Sequence, residues 1–130
     1  GGSGPVHDVI DYGKRIRRTG LTVCEAPGND LVSSTALAAA GAHLILFTTG
    51  RGTPWGSAVP TVKIASNTTL ATRKAAWIDF DAAKGLQSEP LVVFNTFRTL
   101  ILAVASGTTR VKQEINGYRE IALFKDGVTL

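Results

Sequence analysis

Residues 21–48, LTVCEAPGNDLVSSTALAAAGAHLILFT, carry the pattern that decides the fold. Leu21 to Glu25 is typical of a short strand, and Leu31 to Ala40 is an apolar run of helical length that we expect to be buried. His43 to Thr48 is a second apolar run, typical of a parallel strand covered on both faces. A strand, a helix and a strand within about 28 residues predict a right-handed βαβ unit.

Capping residues mark the two ends of the helix in this unit. Asp30 follows the turn formed by Pro27 and Gly28, and its short acidic side chain is typical of a helix N-cap. Gly41 stands where a helix commonly ends in a left-handed glycine. We therefore predict Asp30 as the N-cap and Gly41 as the C-cap.

The rest of the chain continues the alternation of strands and helices. We expect a strand, a helix with its N-cap in Ser66-Asn67-Thr68, a strand, the longest helix and an edge strand. Their predicted ranges are Val62 to Ala65, Thr68 to about Ala76, Trp77 to Phe80, Leu91 to Ala105 and Glu120 to Phe124. The predicted fold is α/β, with three layers and a Rossmann-like, mostly parallel sheet that has helices on both faces.

The composition fits one globular domain. The chain has 130 residues, of which 44% are apolar and 18% are charged, and this is enough to bury a core. It begins Gly-Gly-Ser-Gly and contains no methionine, so we expect a piece of a longer protein. Residues 1–19 are predicted to be a linker or arm, with either a short helix or an extended segment at Val6 to Arg18. Residues 20–130 are predicted to be the domain itself.

Charge and cysteine content limit the classes of function. The net charge is +4, but aromatic residues do not alternate with the basic ones, so we expect no nucleic-acid partner. Lys14, Arg15, Arg17 and Arg18 are predicted to form a solvated arm, or else a contact with another domain or with an acidic ligand. The single cysteine, Cys24, favours a reducing, cytoplasmic location. We expect no membrane partner, because no apolar run reaches the ~20 residues that span a bilayer.

The segment after the second strand is the main candidate for a binding site. Phe47 to Gly56, FTTGRGTPWG, places Arg51 between Gly50 and Gly52. Glycine allows the backbone to approach a ligand closely, and arginine binds carboxylate or phosphate with two parallel hydrogen bonds. The spacing does not fit a P-loop or a dinucleotide-binding motif. Two interpretations stay open, an anion-binding loop and a plain tight turn.

Three turns would converge if the first three strands were parallel neighbours. The segments Pro27 to Asp30, Thr48 to Gly56 and Ser66 to Thr68 would then meet at the carboxyl edge of the sheet, where open α/β sheets bind ligands. Two of them also open helices, whose N-termini favour anions. The polar side chains predicted at this crevice are those of Asn29, Asp30, Arg51, Lys63 and Asn67, although Lys63 would also fit a plain surface position.

The other polar residues give weaker indications. His7 and His43 have no partner at metal-ligand spacing, and Cys24 inside a strand is typical of an inert buried thiol. Asp79 and Asp81 flank Phe80, so that they either share one strand face or serve as a solvated edge and a turn cap. The sequence identifies no nucleophile, no metal ligand and no catalytic acid or base.

Three segments resemble the C-terminal part of the altronate/galactarate dehydratase family of sugar-acid lyases. They are GLTVCEAPGND, FTTGRGTPWGSAVPTVKIASNT and the ending NGYREIALFKDGVTL. The ending is more similar to the members that act on altronate than to those that act on galactarate. Residues 77–80, WIDF, are followed by Asp81-Ala82-Ala83 where the resemblance leads us to expect Asn-Ala-Gly, so no role is carried over to that loop.

The resemblance implies a hydro-lyase that converts a sugar acid, altronate or a related aldarate, into a 2-keto-3-deoxy acid. It implies a divalent metal, typically iron, in a longer chain that has further domains, and we expect a homo-oligomer. The motif positions carried over as substrate-binding candidates are Thr49, Gly50, Arg51, Gly52, Lys63, Asn67 and Thr68. We expect the segment alone to be inactive. The alternative is a non-catalytic assembly domain, with the active site elsewhere in the full-length enzyme.

Overall fold

A computed structural model describes residues 2–122 of the chain. The five strands are β1 (Val6–Ile10), β2 (Leu21–Cys24), β3 (Ile45–Thr49), β4 (Thr61–Ala65) and β5 (Phe80–Asp81). The four α-helices are α1 (Asp30–Ala40), α2 (Thr68–Arg73), α3 (Pro90–Ala105) and α4 (Lys112–Ile115), and a 3-10 helix covers Ala82–Leu86. None of the helices in residues 2–122 is long and apolar enough to cross a membrane.

The strands form two parallel sheets. β1 pairs with β2, and β3, β4 and β5 form a three-stranded sheet with β4 in the centre. The predicted α/β class is confirmed, and the arrangement is consistent with three layers; the likeness to Rossmann folds stays a prediction. Of the first three predicted strands, β3 and β4 are parallel neighbours, but β2 pairs with β1 rather than with β3. The βαβ unit predicted over residues 21–48 is therefore wrong, because its two strands belong to different sheets. Local patterns identify a strand but not its partner.

The core lies on both faces of β4, whose five residues are all buried. Val62 and Ile64 point to one face and form a cluster with Val104 of α3 and Val111. Ala65 points to the other face and packs against Leu70 of α2. Because side chains alternate along a strand, Lys63 lies on the same face as Ala65 and is covered there.

Several predicted boundaries are corrected by the structure. The N-cap of α1 is Asn29, whose side chain accepts the N–H groups of Leu31 and Val32, and Asp30 is the first helical residue. Asparagine and aspartate are equally good caps, so the sequence alone could not choose between them. Gly41 is the C-cap with φ +115°, as predicted.

Other elements differ in extent or were not predicted. α2 ends at Arg73 rather than near Ala76, and the strand predicted over Trp77 to Phe80 is instead β5. Val6–Ile10 is extended, which is one of the two predicted alternatives. The short helix α4 was missed. An edge strand was predicted from Glu120 to Phe124. Its last two residues lie outside the described residues, and Glu120 to Ala122 do not form a strand.

Candidate anion-binding site

The loop that follows β3 begins with a side-chain cap. The hydroxyl oxygen of Thr49 accepts the N–H groups of Arg51 (3.3 Å) and Gly52 (2.9 Å). Gly52 has φ +72°, and a Cβ built on it would lie 2.9 Å from Leu70 Cδ1 and 3.1 Å from Lys74 Cδ. The position therefore needs glycine for its backbone conformation and for its close approach to α2.

The side chains of the N-cap and C-cap residues of α2 bind the carbonyl groups of this loop. The Nδ2 of Asn67 donates to the carbonyl oxygen of Gly50 at 3.2 Å. The ammonium of Lys74 donates to the carbonyl oxygens of Arg51 (2.7 Å) and Gly52 (3.0 Å). The backbone oxygens of three successive residues are thus held on the side that faces α2.

Lys63 holds the next part of the loop from beneath. Its side chain is 1% exposed, and its ammonium donates to the carbonyl oxygen of Thr53. The same ammonium lies 5.4 Å from the ring centroid of Trp55, which also makes an edge contact with Phe47. Burial lowers the pKa of Lys63, and the charges of Asp79 and Glu120 act in the opposite direction.

A surface pocket of about 200 Å³ opens beside the loop. Its lining residues are Gly50, Arg51, Asn67, Thr69, Leu70, Arg73 and Lys74. Arg51 is exposed, and its guanidinium has no hydrogen bond or ion pair with any other residue of the described range 2–122. The pocket is therefore lined by basic side chains, and the arginine predicted from the sequence is available for a ligand.

The predicted site residues divide between two places. Thr49, Gly50, Arg51, Gly52 and Asn67 are together at the loop. Thr68 follows Asn67 as the first, exposed residue of α2. Lys63 is beneath the loop and does not line the pocket. Asn29 and Asp30 follow β2, in the other sheet, where the Oδ1 of Asn29 is engaged in capping α1.

A buried polar network that the sequence did not indicate holds the far end of the loop. Gln113 is 3% exposed; its Oε1 accepts the N–H of Thr61 at 2.9 Å, and its Nε2 donates to the carbonyl oxygens of Ser57 (3.1 Å) and Tyr118 (2.7 Å). This contact joins residues 52 positions apart, a distance at which local sequence patterns carry no information. The network joins Ser57 and the first residue of β4, Thr61, to α4.

The remaining candidates have structural partners. The side chain of Asp81 accepts the N–H of Ala83 and caps the 3-10 helix, as one of the sequence interpretations has it. Asp79 instead accepts two backbone N–H groups, from Lys63 and Lys112, each at 2.8 Å. Cys24 is half-buried with no disulfide partner, and burial raises the pKa of its thiol, which disfavours the reactive thiolate.

His, Cys, Asp and Glu side chains are the potential metal ligands of the described residues. Within residues 2–122, no three His, Cys, Asp or Glu side chains come together in a way that could hold a metal ion. The carboxylates nearest the loop, Asp79 and Glu120, are each bonded to backbone N–H groups. Residues 2–122 therefore offer no donor set that fits the divalent metal expected from the sequence resemblance.

Known proteins resemble the chain over nearly its whole length. It is 52% identical to altronate dehydratase of Bacillus subtilis (strain 168) over 133 aligned positions and 48% identical to altronate dehydratase of Escherichia coli (strain K12) over 130, each covering 99% of the chain. It is 35% identical to the galactarate dehydratase (L-threo-forming) of Escherichia coli over 128 positions, which cover 95% of the chain. The chain spans 26% of each altronate dehydratase and 24% of the galactarate dehydratase.

The family comparison agrees with these similarities and with the resemblance found in the sequence. Residues 1–129 match the family described as D-galactarate/altronate dehydratase, C-terminal. The match contains the Thr49 to Gly52 loop as well as the lysines and Asn67 that hold it. The chain therefore belongs to the family of C-terminal domains of D-galactarate/altronate dehydratases.

Proposed function

We propose that this chain is part of a longer enzyme that removes water from a sugar acid, altronate or a related aldarate, to give a 2-keto-3-deoxy acid. The support is the similarity to two altronate dehydratases and one galactarate dehydratase. Altronate is the favoured substrate, because the altronate dehydratases share 52% and 48% of aligned residues with the chain and the galactarate dehydratase shares 35%.

Within that enzyme, we assign the loop from Gly50 to Thr53 the binding of the substrate carboxylate. One observation carries this assignment: the carbonyl oxygens of the loop are engaged by Asn67, Lys74 and Lys63, while the Arg51 guanidinium is free for a ligand within the described residues. A carbonyl oxygen repels an anion, so an anion-binding loop needs donors that engage these oxygens and offset their partial negative charge. Arginine then supplies the two-pronged contact that a carboxylate accepts.

The role of this segment in the reaction is binding rather than proton transfer. Elimination of water needs a group that takes the α-proton and a group that assists the leaving hydroxyl. Lys63 and Asp79 have shifted pKa values, but the ammonium of Lys63 is buried against Thr53 and both oxygens of Asp79 accept backbone N–H groups. We therefore place the proton-transfer groups and the metal in the remaining domains.

The test is kinetic and uses the full-length enzyme. Arg51→Ala is expected to lower kcat/KM for altronate by about tenfold to a hundredfold, because a charge-assisted contact contributes ~1.5–3 kcal/mol. The melting temperature is expected to change little, because Arg51 is exposed and its guanidinium makes no hydrogen bond or ion pair within residues 2–122. Arg51→Lys should restore only part of the activity, since it keeps the charge but not the planar fork. An unchanged kcat/KM in Arg51→Ala would refute the assignment.

A second candidate function, assembly without a part in the active site, is favoured by one feature of α3. Leu91, Val92, Phe94 and Leu102 are each more than half exposed on this helix, and exposed apolar patches mark contact surfaces. If assembly is the main role, Phe94→Ser in the full-length enzyme should change the mass of the oligomer, as measured by light scattering. Arg51→Ala should then leave kcat/KM unaltered. The opposite pair of results supports the binding role.

A further inference from the structure

We propose that Lys74 and Lys63 are positioning residues that shape the Arg51 loop for anion binding, by holding three successive backbone carbonyl oxygens in hydrogen bonds to their ammonium groups. The inference rests on the proposed function of the loop and adds residues whose effect on the ligand is indirect. It concerns the carbonyl oxygens of Arg51, Gly52 and Thr53, which accept hydrogen bonds from the two ammonium groups.

Lys74 is placed for this task by the end of α2. It is the C-cap residue, and its own N–H bonds to the carbonyl oxygen of Leu70. The side chain then passes against Gly52, where a Cβ would lie 3.1 Å from Lys74 Cδ. Its ammonium bonds to both carbonyl oxygens and also lies 5.0 Å from the ring centroid of Trp77, so the loop and the aromatic ring hold it from two sides.

Lys63 completes the arrangement from the sheet. It stands in the centre of β4, and its ammonium reaches the carbonyl oxygen of Thr53 beneath the ring of Trp55. Burying a lysine ammonium costs free energy unless the charge is paired or hydrogen-bonded. Here the charge binds the carbonyl oxygen of Thr53, the residue after the two whose carbonyl groups Lys74 binds. The two lysines together therefore hold the turn from Arg51 to Thr53.

The geometry of the peptide bond explains why this matters for a ligand. In a trans peptide the C=O and the next N–H point in opposite directions. A carbonyl of Gly52 that is drawn toward Lys74 therefore turns the N–H of Thr53 away from that ammonium. Without the lysines, no ammonium group would offset the partial negative charge of these carbonyl oxygens, and that charge would oppose a carboxylate bound to Arg51.

A double-mutant cycle in the full-length enzyme tests the inference. Lys74→Met keeps the length of the side chain and removes its donors, and it is measured in the wild-type and in the Arg51→Ala background. We expect kcat/KM for altronate to fall about tenfold in the first and less than about twofold in the second, since the lysine acts through the arginine. Lys74→Arg, which keeps the donors, should restore part of the loss.

Two further variants make the result decisive. Lys84→Met removes the charge of an exposed lysine on the 3-10 helix and is expected to keep the wild-type kcat/KM. Lys63→Met in the same cycle gives an independent measurement if Lys74→Met does not fold, and circular dichroism checks the folding of every variant. We expect Lys63→Met to show the same dependence on Arg51.

The possible failures are distinguishable. If Arg51→Ala lowers kcat/KM but the lysine variants lower it by the same factor in both backgrounds, each lysine acts independently of Arg51 and the inference is overturned while the proposed function stands. Wild-type kinetics in the folded lysine variants would overturn it as well. Wild-type kinetics in Arg51→Ala would overturn the proposed function of the loop, and the inference with it.

Discussion

The carboxylate of Asp79 lies 2.8 Å from the backbone nitrogen of Lys63, and the N–H of Asp79 in turn donates to the carbonyl oxygen of Lys63 at 2.9 Å. The second carboxylate oxygen accepts the N–H of Lys112, at the start of α4, also at 2.8 Å. One side chain therefore joins the central strand, the segment before β5 and a helix that local sequence patterns did not reveal. Burial raises the pKa of Asp79, although the two N–H groups act in the opposite direction.

Asp79→Asn is expected to destabilise the fold. Asparagine keeps one acceptor oxygen but presents an NH₂ group to one of the two backbone N–H donors, which leaves that donor unpaired. The free energy of unfolding should fall by about 1–3 kcal/mol, measured by urea denaturation of the protein. Asp81→Asn is the matched control: its one bond is a cap to Ala83, which asparagine can also make, so it should be nearly neutral. Equal losses in the two variants would contradict the role of Asp79.

The same residue makes a prediction about pH. Because the pKa of Asp79 is raised in the folded state above its ordinary value of 3.8, the folded protein holds this proton more tightly than the unfolded chain. Its contribution to stability is complete below 3.8 and is lost as pH rises through the raised value. The unfolding free energy of the wild type should therefore fall over this pH range by an amount that is absent from Asp79→Asn. If the curves of the wild type and of Asp79→Asn against pH are parallel, another group is responsible.

Lys63 makes the opposite prediction at alkaline pH. Burial lowers its pKa below the ordinary value of 10.5, against the effect of Asp79 and Glu120. The unfolded chain therefore binds this proton more tightly, and the contribution of Lys63 to stability rises with pH between the lowered value and 10.5. The difference in unfolding free energy between wild type and Lys63→Met should move in favour of wild type over that range. A difference that does not change with pH would contradict the assignment.

Gly56 is expected to tolerate no side chain. A Cβ there would overlap Cγ of Gln113 and lie 2.6 Å from the carbonyl oxygen of Tyr118, in the network that fixes the end of the loop. Overpacking of a well-packed site costs about 1–3 kcal/mol, so Gly56→Ala should lower the melting temperature clearly. Gly28→Ala is the control, because nothing lies within 4 Å of a Cβ at that position; a similar loss there would mean that the contact with Gln113 is not the cause.

The sequence predicted features that depend on neighbouring residues, such as helix caps. It did not predict strand pairing or burial where these depend on residues that are distant in the chain. The glycine cap at Gly41 was found as predicted, and the N-cap of α2, predicted within Ser66-Asn67-Thr68, is Asn67; both follow from short-range chemistry. The partner of β2 could not be derived, since an apolar strand pattern fits any adjacent strand. Lys63 was predicted at an open crevice, because its burial depends on Thr53 and Trp55, which fold back over it. The apolar residues on both sides of it, in Thr61–Ala65, were the one indication that this lysine belongs to a fully covered strand.

The two ends of the Asn67 amide have different roles, one in capping α2 and one in holding the Arg51 loop. Its Oδ1 accepts the N–H of Leu70 at 2.8 Å and caps α2, while its Nδ2 donates to the carbonyl oxygen of Gly50 at 3.2 Å. Asn67→Asp keeps an equally good cap but replaces the donor with an anion that faces both the carbonyl oxygen and the ligand pocket. Because the cap is kept and only one exposed hydrogen bond is lost, the melting temperature should fall only slightly, while kcat/KM of the full-length enzyme for altronate should fall by about tenfold or more.

The same change at Asn29 tests whether the effect belongs to this loop. Asn29 caps α1 with its Oδ1 in the same way, but it follows β2 in the other sheet and does not line the pocket beside Arg51. Asn29→Asp should therefore leave both the melting temperature and kcat/KM near their wild-type values. A strong loss of activity in Asn29→Asp would restore the sequence prediction that all three turns share one anion site, because a carboxylate introduced at either cap would then repel the same ligand.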